Sequence, residues 1–376
     1  MDRIRLGIIG YGVQGSLYAK LLLSTNEKVK DLILTCISSR SEEAMKDLPE
    51  NITIFTDYKK LIASDLCDAI IITVPHFLHP AIAIEALKHH KHVLCEKPAG
   101  IYADEVRAMK EEQEKTSLTL AMMFNNRANP LFEKCHKLIS SGDLGEFRHM
   151  TWIINNFYRP DTYYASNAWR GTWDKEGGGI IVNQIAHQLD LLLWLCGEPQ
   201  SISAVTREAR FRDIEVENEV SVDLSFENGA SGILYASTYD PFGINRLELD
   251  FSKGKILIED NETMKILRYK EDESMWNKEL TFKNFYMMKR SDPDSLFEEE
   301  TFFMKTDSMS HYFSVFENFA LHILHGETLI ADIEDGLKEV QLANAIYESA
   351  WTQKKVLFPG DEEDFRNGLI RHFAKK

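Results

Sequence analysis

Short apolar runs alternate with helix-like patterns over roughly the first 120 residues of the chain. The apolar runs, which are predicted to be strands, cover residues 4–9, 31–38, 69–74, 92–95 and 118–123. The segments predicted to be helices cover residues 15–24, 41–48, 80–89 and 103–116. Strands that are apolar on both faces and alternate with helices are typical of a parallel sheet covered on both sides. The pattern therefore predicts an α/β fold of the doubly wound type.

The pattern changes after about residue 124. Predicted strands separated by turn signals cover residues 147–157, 201–210, 220–226, 230–237, 246–251, 255–259 and 265–269. Because no long helix lies between the later strands, we expect a large, mostly antiparallel, open sheet. Residues 271–307 are charged and irregular, which predicts a long loop or surface arm, and two helices follow at 308–325 and 333–353.

These two patterns divide the chain into domains. Residues 1–123 form the predicted doubly wound domain, and residues 124–358 form a predicted α+β domain. The closing helices, at 308–353, are expected to pack back on the first domain, and residues 359–376 are expected to be a C-terminal tail. A chain of 376 residues is long enough for two hydrophobic cores.

Composition narrows the class of partner. The chain has 43 Lys and Arg against 59 Asp and Glu, a net charge of −16, which argues against nucleic-acid and anionic-membrane partners. Its five cysteines are scattered and form no CxxC pair, which favours buried thiols in a reducing compartment over disulfides or zinc. No apolar run reaches membrane-spanning length, and the first residues include no apolar signal region. We therefore expect a cytoplasmic protein without a bound metal.

A glycine-rich turn, GYGVQG at residues 10–15, joins the first predicted strand to the first helix. Glycines allow the backbone to approach a pyrophosphate closely, and the unpaired N–H groups at a helix N-terminus favour its negative charge. Such a turn can also merely connect a strand to a helix. Its position at the start of several βα units favours dinucleotide binding. The expected cofactor-binding residues here are Gly10, Gly12, Val13, Gln14 and Gly15.

The residues after the second predicted strand bear on the type of dinucleotide. An acidic residue there would bond the ribose 2′-hydroxyl and exclude a 2′-phosphate. The chain has Ser39 and Arg40 instead, and a guanidinium pairs with phosphate and stacks on adenine. The alternative is that Ser41 caps the next helix and Arg40 is solvated. The pattern favours NADP over NAD as the cofactor.

Two further clusters contain residues suited to acid–base chemistry. Glu96 and Lys97 follow the fourth predicted strand, where the carboxyl ends of parallel strands line a ligand crevice. After a triple glycine, Asn183, His187 and Asp190 are spaced to share one face of an otherwise apolar helix. A Glu-Lys pair is common on surfaces, and a single helical histidine is more often a core residue. A buried polar stripe, however, needs hydrogen-bond partners or a function. A metal site at His187 and Asp190 would lack a third ligand.

Together, these motifs resemble those of the Gfo/Idh/MocA oxidoreductase family, which includes glucose–fructose oxidoreductase and inositol dehydrogenases. The resemblance covers about residues 3–358 and rests on the glycine turn, Ser39-Arg40, Glu96-Lys97-Pro98, Trp169-Arg170 and the run from Gly177 to Asp190. It implies a Rossmann domain and a C-terminal domain whose open sheet often forms a dimer interface, hence a homodimer or homotetramer. It also implies hydride transfer between a nicotinamide ring and a hydroxyl-bearing carbon of a sugar-like small molecule.

The resemblance further implies roles for particular residues. Lys97 and His187 would be the catalytic pair. A neutral imidazole can take the hydroxyl proton, and a protonated lysine can stabilise the charge that develops on the substrate oxygen. We infer from the spacing that Asp190 holds the helix or orients His187. The remaining cofactor contacts would come from Thr73, Pro75, His79, Glu96 and Lys97, although the first three can equally cap a helix.

The predicted substrate pocket contains Lys97, Arg127, Trp169, Arg170, Asn183 and His187. Aromatic faces stack on sugar C–H surfaces, and arginine forks bind hydroxyls, carboxylates or phosphates, with ordinary packing as the alternative. Many family members have Asp where this chain has Asn183. An asparagine at this position resembles a branch of the family that acts on sugars and nucleotide sugars. Because Asn183 lacks the negative charge of Asp, we expect the His187 imidazole to be less basic than in the members that have Asp.

Three functions are consistent with this set of residues. The first is a dehydrogenase or reductase of a sugar, polyol or sugar derivative. The second is an NAD-dependent glycoside hydrolase of the same fold, which oxidises its sugar transiently and returns the hydride. The third is a sensor that binds the dinucleotide without turnover, which the presence of both Lys97 and His187 disfavours.

Overall fold

The computed structural model describes residues 3–305 and 308–374, and its first sheet has six strands. They are β1 Ile4–Ile9, β2 Leu32–Ser38, β3 Thr53–Phe55, β4 Ala69–Ile72, β5 His92–Cys95 and β6 Leu120–Met122. The helices between them are α1 Val13–Leu22, α2 Tyr58–Ile62, α3 His79–Lys88 and α4 Ala103–Glu114. All strands pair in parallel in the order β3-β2-β1-β4-β5-β6, which confirms the predicted doubly wound Rossmann sheet.

The central strands form because their side chains are apolar on both faces. All four residues of β4 are buried, and so are the last four residues of β1. Helices cover both faces of such a strand, so each side chain finds an apolar neighbour. Because β1 lies between β2 and β4, the strand order reverses there, and a crevice opens at the carboxyl ends of these strands.

The second sheet has nine strands and belongs to the rest of the chain. They are β7 Phe147–Ile154, β8 Ser201–Glu208, β9 Glu217–Ser225, β10 Ser231–Ser237, β11 Asn245–Phe251, β12 Gly254–Glu259, β13 Thr263–Tyr269, β14 Phe297–Phe303 and β15 Val356–Leu357. Their order is β14-β13-β12-β11-β7-β10-β9-β8-β15, and every pair is antiparallel except β7 with β10. The predicted large, mostly antiparallel sheet is confirmed.

Helices cover one face of this second sheet. The helices of the region are α5 Pro130–Ser141, α6 Asp161–Ala165, α7 Trp173–Glu176, α8 Ala186–Cys196, α9 Glu273–Glu279, α10 Phe282–Ser291, α11 Ser308–His325, α12 Ile333–Thr352 and α13 Glu362–Phe373. Burial alternates along β11 and β12, so one face enters the core. On other strands, Val205 and Ile233 expose about half of their apolar side chains.

The last helices connect the two sheets. Phe316 and Phe319 of α11 join the core on one face of the Rossmann sheet, and Leu337 and Val340 of α12 join the core on the other. Just before α12, the backbone pairs with β6 through Met122. The domain boundaries at residues 123 and 358 stay predictions, while the described contacts tie the closing helices to both sheets.

The structure corrects three predicted segments. Of the predicted irregular loop at 271–307, residues 306–307 lie outside the described residues, and residues 271–305 contain α9, α10 and the edge strand β14, whose glutamates face basic residues of β13. The expected tail at 359–376, of which residues 375–376 lie outside the described residues, contains α13, whose Phe365 and Leu369 are buried in the core. The predicted helix at 41–48 is only a short 3-10 turn at Glu43–Met45. Charged residues are frequent in the first two segments, which is why the sequence there predicts a loop and a tail.

No helix in the described part of the chain is long and apolar enough to cross a membrane alone, although Trp173–Gln184 and Ala186–Cys196 pass that test together with a bend of 49°. Within residues 3–305 and 308–374, no group of three or more His, Cys, Asp or Glu residues could hold a metal ion.

Candidate active site

The glycine turn after β1 is shaped by close backbone approaches. Gly10 has a φ of +101°, and a Cβ there would lie 2.6 Å from the carbonyl oxygen of Thr73. A Cβ on Gly15 would lie 2.0 Å from the carbonyl oxygen of Gly10. A Cβ on Gly12, in contrast, would meet no atom within 4 Å. The fold itself therefore requires two of these glycines, while the third leaves an open space at the start of α1.

This open space fits a dinucleotide. The first N–H groups of a helix have no partner within the helix and attract a phosphate. Val13, the first residue of α1, is 79% exposed, so protein does not cover the turn. The side chain of Gln14 donates to the hydroxyls of Tyr18 and Tyr312, and this leaves the backbone of Gln14 as the group that can meet a phosphate.

The residues after β4 hold neighbouring turns together. The Thr73 hydroxyl donates to the carbonyl oxygen of Gly10 at 2.7 Å, and Pro75 begins the next turn. The His79 ring is fully buried, with Nδ1 2.8 Å from the Pro98 oxygen and Nε2 2.7 Å from the Val74 oxygen. Both ring nitrogens are therefore engaged by the protein. This corrects the expectation that the His79 ring itself contacts the cofactor, because it instead positions the turns that line the crevice.

Glu96, which follows β5, is bound on both carboxylate oxygens. Its Oε1 accepts from the hydroxyl of Tyr18, and its Oε2 accepts from the backbone N–H of Lys97 at 3.0 Å. Burial raises the pKa of this carboxyl, although the hydrogen bond from Tyr18 opposes the rise. Glu96 and Gln14 thus meet at Tyr18, which links the glycine turn to the turn containing Lys97.

The predicted 2′-phosphate site lies after β2. The backbone N–H of Ser39 donates to Phe55, and its Oγ accepts weakly from the N–H of Ser41 at 3.4 Å. Arg40 is exposed. Both residues lie at the carboxyl end of β2, next to the glycine turn after β1, so their position is compatible with the predicted contact.

Lys97 joins the two halves of the site. Its Nζ donates to the backbone oxygen of Asn183 at 2.7 Å, which leaves two of its three protons for other acceptors. Burial lowers the pKa of its ammonium, and the charge of Arg159 acts in the same direction. The carboxyls of Glu96, Glu339 and Glu176 act in the opposite direction. Lys97 is therefore surrounded by titratable groups.

The segment containing Asn183 is a π-helical turn at Ile180–Gln184, and a bend separates it from α8. This corrects the prediction of one continuous helix from Asn183 to Asp190. Tight packing forces the turn: a Cβ on Gly178, at φ +151°, would lie 2.0 Å from the Tyr347 hydroxyl. The buried Glu217 carboxylate accepts from the N–H groups of Gly179 and Ile181, which fixes the start of the turn.

The side chain of Asn183 faces a buried carboxyl that the sequence analysis missed. Its Nδ2 donates to Oε1 of Glu176, whose other oxygen accepts from the N–H of Gly171 at 2.6 Å. Burial raises the pKa of Glu176 to about 7, although these two hydrogen bonds and the charges of Arg170 and Lys97 oppose the rise. The only signal in the sequence was an acidic residue directly before the triple glycine.

His187 lies in the first turn of α8, close enough to Lys97 for the charge of the lysine to affect it. Burial, followed by the charge of Lys97, lowers the pKa of its imidazole well below the usual value. Its Nδ1 is buried without a hydrogen-bond partner among the described residues, and the ring packs edge-on against Phe124. Glu339 of α12 is fully buried and similarly unpartnered on both oxygens within the described part, and burial raises its pKa.

Arg127, expected in the substrate pocket, is committed to protein partners. Its guanidinium binds Asp190 through two hydrogen bonds, at 3.0 and 2.6 Å, and also donates to Asp335 and to the oxygen of Ile330. Arg127 and Asp190 are 5% and 1% exposed. Protein groups thus occupy Arg127, contrary to the expectation that it contacts substrate. Of the two roles inferred for Asp190, the observed contacts agree with holding the helix, because Arg127 and Asp190 hold α8 against α12.

Trp169 and Arg170, the other predicted pocket residues, do lie near Asn183. The Arg170 guanidinium packs 4.6 Å from the Trp169 ring and 4.2 Å from the Tyr163 ring, and it donates to the Tyr163 hydroxyl. The same hydroxyl accepts from Nε2 of Gln184 at 3.2 Å and lies 3.5 Å from Nδ2 of Asn183. Tyr163 therefore connects the arginine to the π-helical turn.

Arg159 and His76 complete this side of the site, and the sequence analysis proposed neither. The Arg159 guanidinium lies 4.8 Å from the Tyr163 ring. The His76 ring packs edge-on to Trp169, and its Nδ1 lies 3.1 Å from the backbone carbonyl oxygen of Glu176. Burial lowers the pKa of His76 to about 3. The arrangement thus combines an open phosphate-binding turn, a lysine beside a neutral histidine, and an arginine–aromatic wall.

Two family models match the chain. One is described as an oxidoreductase family with an NAD-binding Rossmann fold and matches residues 4–124. The other, the GFO/IDH/MocA C-terminal domain, matches residues 132–257. Together they cover most of the chain up to residue 257, including the glycine turn, Lys97, Asn183 and His187.

Individual proteins are similar over longer stretches. The scyllo-inositol 2-dehydrogenase (NADP(+)) IolW of Bacillus subtilis (strain 168) is 26% identical over 367 residues, which cover 95% of this chain and 96% of that protein. The Myo-inositol 2-dehydrogenase of Thermotoga maritima is 27% identical, covering 70% and 78%. The WlbA dehydrogenase from Bordetella pertussis, solved with NADH and UDP-GlcNAcA, has a TM-score of 0.80 at 22% identity, covering 96% and 99%. This last likeness shows a shared fold.

Proposed function

Since the chain belongs to the Gfo/Idh/MocA oxidoreductase family, we propose that it transfers a hydride between NADP or NAD and a hydroxyl-bearing carbon of a sugar, polyol or sugar derivative. The observation that carries the proposal is the position of Lys97. Its ammonium is bound to the Asn183 carbonyl, its charge acts on His187, and it follows β5, which only β4 separates from β1 and its open glycine turn. The dehydrogenase names of the relatives support the reaction class.

The residues that would hold the dinucleotide are those of the glycine turn. Gly12 has open space above it, and the first N–H groups of α1 would receive the pyrophosphate. The bound nicotinamide would supply the hydride acceptor or donor. Ser39 and Arg40 would contact the adenosine end, which supports a preference for NADP, although the relatives include enzymes named for either dinucleotide.

His187 would handle the proton of the substrate hydroxyl. Its lowered pKa keeps the imidazole neutral near pH 7, so it can accept a proton as the substrate is oxidised. Because Nδ1 is buried, Nε2 is the nitrogen that would meet the substrate. Lys97, with two free N–H bonds, would stabilise the negative charge developing on the same oxygen.

The Asn183 side chain would act through Glu176. An Asp at position 183 would face the Glu176 carboxyl directly, and two adjacent carboxyls raise each other's pKa. With Asn183, the amide donates to Glu176 and so fixes the carbonyl that binds Lys97. This arrangement supports an active site in which Glu176, rather than residue 183, supplies the acidic group.

The first experiment is a titration of purified protein with NADPH and NADH, followed by tryptophan fluorescence. We expect saturable binding of both and a preference for NADPH. A panel of inositols and aldoses is then followed at 340 nm with the preferred dinucleotide. His187→Asn should lower turnover about 10²- to 10³-fold while leaving dinucleotide binding intact. Lys137→Met, at an exposed lysine on α5, should change neither and is the control.

Each alternative gives a different result. Failure of both dinucleotides to bind would contradict the proposed function and leave the glycine turn as part of the fold only. Release of aglycone from a glycoside without a net change at 340 nm would identify the NAD-dependent glycoside hydrolase. The homodimer or homotetramer stays a prediction, which sedimentation of the same preparation measures.

A further inference from the structure

Two arginines beside the proposed active site are not matched by carboxylates. Within the described residues, neither Arg159 nor Arg170 forms a salt bridge, although the chain has 59 acidic residues against 43 basic ones. Both side chains are partly buried, and the Nε atom of each is buried without a hydrogen-bond partner in that same part of the chain. An unpaired charge removed from water is costly, so a partner is expected.

The two guanidinium groups lie against one ring. Arg159 is 4.8 Å and Arg170 is 4.2 Å from the centroid of Tyr163, so their central carbons cannot be farther apart than the sum of these distances. Arg170 gives one N–H to the Tyr163 hydroxyl, and Arg159 gives one to the carbonyl of Tyr158 at 3.2 Å. Since each guanidinium has five N–H bonds, both retain donors for a further acceptor.

Other buried or neighbouring arginines behave differently. Arg127 is matched by Asp190 and Asp335, and Arg212, next to Arg159, has Asp161 at 3.9 Å. Glu176 lies near enough to Arg170 to feel its charge, but its carboxylate is hydrogen-bonded to Gly171 and Asn183. The absence of a carboxylate is therefore specific to Arg159 and Arg170 within this region.

We propose that Arg159 and Arg170 bind an anionic group, a carboxylate or a phosphate, on the substrate of the proposed oxidoreductase. This inference rests on the proposed function, because Lys97 marks the position of the reacting hydroxyl. Tyr163 connects the two arginines to the turn that binds Lys97. Its hydroxyl is 3.5 Å from the Asn183 amide, and both guanidiniums pack against its ring. A planar guanidinium matches two oxygens of a carboxylate or phosphate at once.

The proposal narrows the substrate class. Inositols and simple aldoses are uncharged. With such a substrate bound, the two arginines would still lack a negatively charged partner. A uronic acid or a sugar phosphate would neutralise them and would be held through its charged group. Because the protein has a net charge of −16, an anion gains nothing from the overall field and depends on these local cations.

The test measures ligand binding to the enzyme saturated with its preferred NADPH or NADH. The probes are matched pairs that differ in one group: D-glucuronate with D-glucose, and D-galacturonate with D-galactose. D-glucose 6-phosphate and inorganic phosphate distinguish a phosphate from a carboxylate. We expect at least one anionic probe to bind about tenfold or more tightly than its neutral counterpart, as charge-assisted hydrogen bonds are stronger than neutral ones.

Variants assign the effect to the arginines. Arg159→Gln and Arg170→Gln should each remove most of the preference for the anion, raising the KM for the anionic sugar more than the KM for its neutral counterpart. The matched control is Arg290→Gln, because Arg290 packs 5.6 Å from the ring of Tyr286 on the remote helix α10. A urea unfolding curve for each variant confirms that it is folded.

The outcomes separate this inference from the proposed function. If dinucleotide binds and neutral sugars bind as well as every anionic probe, inorganic phosphate included, the inference is overturned and the oxidoreductase proposal stands. An anion preference that survives both arginine variants also overturns it. If neither dinucleotide binds, the proposed function itself has failed.

Discussion

Two arginine sites adjoin the segment from Asn183 to Asp190, and they differ in how the charges of their guanidiniums are balanced. At Arg127, four hydrogen bonds go to Asp190, Asp335 and a backbone carbonyl, and the side chain is 5% exposed. At Arg159 and Arg170, the guanidiniums lie on aromatic rings, and no carboxylate of the described residues is within salt-bridge distance. Protein groups therefore balance the charge of Arg127 without a ligand, whereas the charges of Arg159 and Arg170 lack a protein carboxylate among the described residues.

This difference distinguishes arginines that stabilise the fold from arginines that are available to bind a ligand. A buried charge is tolerated when protein groups satisfy it, and those groups then become part of the fold. Arg127 holds α8 against α12 in this way. A charge that the fold leaves unmatched is available to a ligand. The following predictions test this division, beginning with the largest expected effect.

Arg127→Leu should destabilise the protein by about 3–5 kcal/mol, because it leaves Asp190 buried without its partner. Burial already raises the pKa of Asp190 to about 7 against the opposing charge of Arg127, so removing the guanidinium leaves a carboxyl that must take up a proton. Urea unfolding at pH 7 measures the loss. Arg170→Leu, which breaks no ion pair, should cost less than about 1 kcal/mol in the same assay.

Equal losses for the two arginine variants would contradict the comparison. Such a result would mean that Arg170 is as much a part of the fold as Arg127, and the case for a ligand at Arg170 would weaken with it.

Glu176→Gln should change how stability depends on pH. Burial raises the pKa of Glu176 to about 7 in the folded protein, against about 4.5 for an unperturbed side chain. Its contribution is therefore full below pH 4.5 and lost as pH rises through 7, because the folded state must give up a proton that it holds more tightly. Relative to the wild type, the variant should gain on the order of 2–3 kcal/mol between pH 4.5 and 8.

Urea unfolding of both proteins at pH 5 and pH 8 measures this difference. Glu219→Gln, on strand β9, serves as a control, since that carboxylate is paired with Arg207 and lies away from Asn183. A constant gap between Glu176→Gln and the wild type at the two pH values would show that Glu176 does not titrate in this range.

The same division explains what the sequence could predict. Periodicity identified most strands of both sheets and the helices α1, α3, α4, α11 and α12, because their apolar residues recur at regular spacing. It missed the strands β3, β14 and β15, and it missed α13 and the two helices within the charged segment that follows β13. Motifs identified Lys97, Asn183, His187 and the Trp169-Arg170 pair. Glu176 and Arg159 escaped, because their environment comes from chain segments that only tertiary packing brings together.

Arg127 shows the converse error. Its sequence position after β6 was compatible with a substrate pocket, but nothing in the sequence revealed that Asp335, more than 200 residues later, would complete its ion pairs. Whether a charged residue is matched within the fold depends on contacts of this range.

Gly12→Ala tests unmatched backbone donors in place of side chains. A Cβ at Gly12 meets nothing within 4 Å, and the backbone there is extended with φ −88°, so the fold should tolerate alanine within about 1 kcal/mol. The methyl group would occupy the space that a pyrophosphate needs, and the NADPH dissociation constant should rise about tenfold or more. Gly15→Ala, whose Cβ would lie 2.0 Å from the Gly10 oxygen, should instead lose stability. Unchanged NADPH binding by folded Gly12→Ala would place the dinucleotide elsewhere.

Arg40→Gln should give the smallest effect, because this unmatched arginine is exposed and water already solvates its charge. Stability should not change measurably. If Arg40 contacts a 2′-phosphate, the ratio of NADH to NADPH dissociation constants should fall about threefold to tenfold, with NADH binding itself unaltered. The control is Arg148→Gln on strand β7, which is equally exposed but paired with Glu273. Fluorescence titrations at low and physiological salt measure the ratio, and screening should reduce the effect at higher salt. A ratio that stays constant in Arg40→Gln would show that an exposed, unmatched guanidinium does not mark a binding site, and would confine that inference to partly buried arginines.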